Sequence, residues 1–94
     1  MKICLDTNAY AAFKQGDQAV TGLLENAEEV ILPSIVLGEL YAGFYQSRRM
    51  QQNIRELIAF LELPGVAIAP VDSAIAERYG IIVKQLREQG TSVP

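Results

Sequence analysis

Three short runs, apolar but for the opening Lys2, punctuate the chain: Lys2 to Leu5, Val30 to Leu32 and Val66 to Ala69. Each is β-favouring and too short for a helix, and each is followed by residues at helical spacing. The first stops at Asp6-Thr7-Asn8, residues that favour turns and helix N-caps, which predicts a strand ending at Leu5 or Asp6 and a helix from Thr7 to about Lys14. Asp17 is expected to cap a second helix, with Val20, Leu23, Leu24 and Ala27 on one face. After the second strand, Ser34 is expected to cap a third helix. Its residues Ile35, Val36, Leu37, Leu40, Tyr41, Phe44 and Tyr45 make it apolar nearly all round, so it is expected to be deeply buried. A fourth helix is expected over Ser47 to Leu63, with Met50, Ile54, Leu57, Ile58 and Leu61 forming a stripe, ended by Pro64-Gly65. A fifth is expected to be capped by Asp72 or Ser73 and ended by Gly90, with Ile75, Tyr79, Ile82, Val83 and Leu86 in register.

The order β-α-α-β-α-α-β-α, with every strand apolar throughout and followed by helix, is that of an α/β protein with a parallel sheet covered on both faces. Three such strands leave an uncovered edge, and Thr91 to Pro94 follow a helix stop where another element would begin. A single domain over 1–94, the front of a larger one, is therefore expected.

Composition narrows the chemistry. There is one cysteine, Cys4, among 94 residues, so no internal disulfide and no cysteine zinc cage. There is no histidine, which removes histidine triads and imidazole proton shuttles. No apolar run reaches membrane-spanning length and no signal-peptide pattern opens the chain, so the expected setting is cytoplasmic, away from membranes. The formal charge of −3 argues against a basic surface that grips nucleic acid unaided. Acid–base or metal chemistry here must be carried by carboxylates.

Two carboxylates stand out. Asp6 falls at the carboxyl end of the first strand, where open parallel sheets bind ligands. Either it caps the helix behind it, or Thr7 or Asn8 does so and leaves it for other work. Glu39 is the one charge between Glu29 and Arg48, in an otherwise apolar helix with no local basic partner. It is either on a wet edge of that helix or in a metal or catalytic role, since a buried carboxylate is costly unless paired or bound to a cation. Gly38 and Gly43 flank it, each unfavourable in a helix by about 1 kcal/mol, which suggests close packing or ligand approach. Magnesium suits such a pair, because it is held by one or two carboxylates plus waters and phosphate oxygens. Thr7 and Asn8 are candidate supporting groups, Arg48 and Arg49 candidate phosphate contacts, and Asp72 a helix cap. Tyr41, Phe44 and Tyr45 are either core or a groove for a partner's helix.

The run Ile3-Cys4-Leu5-Asp6-Thr7-Asn8 resembles the opening of PIN domains, and Ser34-Ile35-Val36-Leu37-Gly38-Glu39-Leu40-Tyr41-Ala42-Gly43 resembles their second motif. Together they look like the VapC-type ribonuclease toxins of type II toxin–antitoxin pairs. The resemblance implies a three-layer α/β/α fold and a Mg2+- or Mn2+-dependent endoribonuclease. Asp6 and Glu39 would be catalytic metal ligands, with Thr7, Asn8, Arg48 and Arg49 supporting the RNA substrate. It also implies a cognate antitoxin, docked near Tyr41, Phe44 and Tyr45, and a tendency to form homodimers. PIN domains carry further acidic residues in a motif like T-N-D and after the following strand. Neither is present before Pro94, so the expectation is a PIN-like domain lacking its C-terminal third, with little or no activity as it stands. The alternative is a non-catalytic binding module, a decoy that engages the antitoxin. A receiver-like domain fits poorly, because Asp6 has no acidic neighbour and Asp72 reads as a cap.

Overall fold

A computed structural model describes residues 1–88, with strands β1 (Lys2–Cys4), β2 (Glu29–Pro33) and β3 (Val66–Ala69) and helices α1 (Thr7–Lys14), α2 (Gln18–Glu25), α3 (Ser34–Phe44), α4 (Met50–Leu61) and α5 (Ser73–Glu88). The three strands form one parallel sheet in the order β1-β2-β3, with Cys4 opposite Ile31 and Val30 opposite Val66. The α/β reading and the parallel sheet are as the pattern predicts. The Leu5 N–H donates to the Ile31 carbonyl at 2.9 Å, carrying the ladder one residue past β1. Parallel pairing sends all three strands out at one edge, so the starts of α1, α3 and α5 collect there.

The core is built from Leu5, Tyr10, Val30, Leu32, Val36, Leu40, Leu57 and Phe60. It joins β1 and β2 to α1, α3 and α4, and three rings stack its centre: Tyr10 meets Phe60 edge-on at 5.4 Å, and Phe13 lies 5.5 Å from Phe60. Gly65 fixes the approach to β3. Its φ is +82° and a Cβ there would sit 3.1 Å from the Glu28 carbonyl oxygen, while its own carbonyl accepts from Val30 N–H at 2.7 Å. A side chain at 65 would be strained twice over.

Several boundaries differ from the sequence pattern. Helix α3 is not deeply buried: Val36 and Leu40 are, but Ile35, Gly38, Glu39, Ala42 and Gly43 form an exposed face. A helix packed from one side can bury only one side, whatever its composition. Ser34 is the first helical residue and not the cap; Pro33 holds the cap position, and Ser34 Oγ accepts the Val71 N–H at 3.1 Å. Helix α4 begins at Met50, because Ser47 Oγ accepts from Arg49 N–H at 3.0 Å and from Asn53 Nδ2 at 3.3 Å, which makes residues 45–49 a turn. Nothing lies within 4 Å of a Cβ built on Gly38 or Gly43, so close packing against described residues does not explain them. The caps at Asp17 and Asp72 form as expected, through Val20 N–H at 3.1 Å and Ile75 N–H at 2.9 Å. The expected cap at Gly90 lies outside the described residues. Among the described residues no helix is long and apolar enough to cross a membrane.

Candidate active site

Asp6 leaves β1 in extended conformation and caps α1 itself: Oδ1 accepts the Ala9 N–H at 2.7 Å, and its carbonyl accepts the Tyr10 N–H at 3.0 Å. Neither Thr7 nor Asn8 caps the helix in its place. One carboxylate oxygen serves the fold, and Oδ2 accepts no hydrogen bond among the described residues. Because Thr7 is released from capping, it reaches across to α3, where its Oγ1 donates to Glu39 Oε1 at 2.9 Å. Residues 32 apart in the chain are thereby joined, and the residue beside Asp6 holds Glu39. Glu39 is exposed, so the desolvation cost anticipated for a carboxylate in a buried helix does not arise.

Both charges act on a third group. The Tyr79 hydroxyl on α5 is held above the usual tyrosine range, first by burial and then by the carboxylates of Glu39 and Asp6 and by Cys4. One hydroxyl thus feels both acids. Cys4 is raised in the same way, by burial first and then by Asp6. Val71 N–H on Ser34 Oγ ties the entry of α5 to the start of α3, which keeps Tyr79 at this edge. Sequence pattern reads Tyr79 only as part of the α5 stripe. The available signal was a polar-tipped aromatic about two turns into the helix that follows β3.

Among the described residues no group of three or more Asp, Glu, Cys or His gathers as a metal cage. The residues present still suit a hard, partly hydrated cation. Asp6 and Glu39 each have one oxygen engaged within the protein and one without a hydrogen bond among the described residues, and one or two carboxylates are the usual protein share of a Mg2+ site. The other candidates are dispersed. Asn8 lines a groove with Asp6 and Cys4. Arg48 and Arg49 lie in the α3–α4 turn, where Arg49 Nε donates to Gln52 Oε1 at 3.3 Å. Tyr41 and Phe44 pack partly against the core, and Tyr45, 64% exposed, stacks on Tyr41 at 6.0 Å.

Asp6 directly follows β1, and Glu39 on α3 is hydrogen-bonded to the neighbouring Thr7, at the carboxyl edge of a parallel sheet, the edge at which α/β folds hold ligands. The chain belongs to the PIN domain family, whose sequence pattern matches residues 3–91. PIN domains are generally nucleases. In structure the chain is similar to a chain of VapBC2 from Rickettsia felis, crystallised bound to a DNA fragment from their promoter, with 26% identity and a TM-score of 0.66 over all of this chain and 72% of that one. It is also similar in fold to a chain of VapBC-1 from nontypeable Haemophilus influenzae, with 21% identity and a TM-score of 0.63 over the same shares. No curated protein matches the chain by sequence.

Proposed function

We propose that this protein is a cytoplasmic, Mg2+- or Mn2+-dependent endoribonuclease, the toxin of a toxin–antitoxin pair, with Asp6 and Glu39 as its metal ligands. The hydrogen bond from Thr7 to Glu39 carries the reading, since it couples the start of α1 to Glu39 on α3. A bound divalent cation would activate water and offset charge on the phosphate undergoing attack. The chain supplies the placement: the cap orients Asp6, and Thr7 orients Glu39. The N-terminal ends of α1 and α3 add positive dipole ends that favour anionic groups there. Hydrolysis joins a water oxygen to phosphorus, breaks one P–O ester bond and returns a proton to the departing oxygen. The likeness to VapBC assemblies supports an antitoxin as partner. The α3–α4 hairpin, with Tyr41, Phe44 and Tyr45, is the surface offered to it or to a second copy of the chain.

The test is Mn2+ titration followed by electron paramagnetic resonance, paired with an RNA cleavage assay. Asp6→Asn and Glu39→Gln should each weaken Mn2+ binding at least tenfold, and any Mg2+-dependent cutting should vanish with them. If the double variant binds Mn2+ as the unaltered chain does, the assignment fails.

The lack of a third acid among the described residues favours one other reading, a non-catalytic module that engages the antitoxin. Metal binding without any cleavage, together with tight antitoxin association, would select it.

A further inference from the structure

The edge of the sheet opposite the carboxylates holds a second concave feature. There α2 and α4 end and hand the chain to β2 and β3. Beside their ends lies an apolar cleft of about 310 Å³, at the small end of the range for ligand sites. Val30 and Phe60 are buried in it, while its walls are open to solvent: Phe13, Leu24 and Val66 are half-buried, and Leu63 is 51% exposed. The walls are fixed before anything binds. Leu63 N–H donates to the Phe60 carbonyl at 3.1 Å, and Val66 N–H to the Leu63 carbonyl at 3.2 Å. A preset apolar cleft loses little order on filling, which favours binding.

Charge decides what fits. No lysine or arginine lines the cleft, and its one carboxylate, Glu25, has no ion pair among the described residues. Glu25 is the last residue of α2, and Glu62, equally unpaired, follows the last residue of α4 and precedes Leu63. Both acids stand at the negative end of a helix dipole, where a cation is favoured and a carboxylate is not. Neither helix has a basic residue in its last turn to offset this. The cations at this end of the sheet are already engaged: the amino group of Met1 pairs with Glu28 at 3.2 Å, and Lys2 with Glu29 at 3.5 Å. Apolar walls beside uncompensated acids repel phosphate-bearing ligands and select a group that is bulky, apolar and flanked by positive charge.

We propose that this cleft receives a basic peptide segment of a partner protein, one large aliphatic or aromatic side chain entering beside Leu24 and Leu63 and adjacent lysine or arginine side chains reaching Glu25 and Glu62. A buried apolar anchor supplies the affinity of such a contact, and the charges around it supply the selectivity. The cleft lies at the other edge of the sheet from Asp6 and Glu39, so it leaves them open and does not depend on the nuclease reading.

The chain contains no tryptophan, so a tryptophan-bearing probe reports on itself. The probe is the acetylated and amidated peptide Lys-Lys-Leu-Trp-Lys-Lys, and its control carries glutamate in place of every lysine. Titrating the 94-residue protein into the probe should move the tryptophan emission to the blue saturably, and added salt should weaken the binding. The acidic control should show no shift. Glu25→Gln and Glu62→Gln should each weaken the probe about threefold, the scale of an exposed ion pair. Leu63→Ala should weaken it about fivefold through lost apolar contact. Urea midpoints of the two glutamine variants should be unchanged or slightly higher, because each removes an acid from a helix C-terminal end, so weaker binding there reports the cleft and not the fold. The double variant Asp6→Asn, Glu39→Gln should bind the probe as the unaltered protein does. Loss of binding in that variant would place the peptide on the other acids and overturn the proposal. So would equal binding of the acidic control, no saturable shift at all, or glutamine and alanine variants that bind like the unaltered protein.

Discussion

Helices α3 and α4 form a hairpin, pack on the same sheet and bury two residues each: Val36 and Leu40 in α3, Leu57 and Phe60 in α4. Their compositions are opposite. Helix α4 is amphipathic, with Gln51, Gln52 and Arg55 exposed opposite its core stripe. Helix α3 has a single charge yet leaves Ile35 47% exposed and shows Gly38, Ala42 and Gly43 to solvent. The difference teaches that burial follows the neighbours a helix has and not the hydrophobicity it carries. What α4 invests in the core of this chain, α3 holds partly outside it, on the face that also bears Glu39.

The largest test of that contrast is Leu57→Ala. Leu57 is fully buried, and the truncation should cost about 2–5 kcal/mol in urea unfolding. A cost below about 1 kcal/mol would mean that α4 is not a core helix. Next comes pH. Tyr10 packs on Phe60 of α4 and shares a cavity with Leu40 of α3. Its pKa is raised in the folded protein from 10.0 to about 12, by burial and then by Glu56. The stabilisation linked to the protonated hydroxyl is therefore complete below pH 10 and is lost as pH rises through 12. The urea midpoint should fall across that window more steeply in the unaltered protein than in Tyr10→Phe; parallel curves would contradict it. Smaller again is Gly38→Ala. A Cβ at 38 meets nothing within 4 Å, so the change should stabilise by up to about 1 kcal/mol. Destabilisation would reveal a neighbour close to that face. Smallest of all is Ile35→Ala, expected within about 0.5 kcal/mol because half the side chain is already in water.

The same contrast marks what the chain's pattern could and could not disclose. Strands were readable because Val30-Ile31-Leu32 and Val66 to Ala69 are unbroken apolar runs before helices, and Asp17 and Asp72 were readable as caps from position alone. The pairing of Asp6 with Glu39 is a candidate in the sequence, but its means is not. That Asp6 would cap α1 and leave Thr7 to hold Glu39 depends on how two helices approach, which local spacing does not encode. Ser34 has the same history: a cap by residue type, it instead accepts the Val71 N–H from the segment leaving the neighbouring strand β3. Tyr79 was hidden for another reason, because a tyrosine at a core register looks like any other apolar residue until its hydroxyl is followed to its surroundings.

That Asp6 serves as a helix cap also governs how its importance should be measured. Alanine at this position removes a charge and a cap together, and the lost cap alone is worth roughly 0.5–2 kcal/mol. An alanine variant that lost Mn2+ binding would thus report a weakened fold and lost chemistry in one signal. Asparagine, an equally good cap, keeps the helix start and discards only the negative charge, so it is the substitution whose phenotype can be read as chemistry.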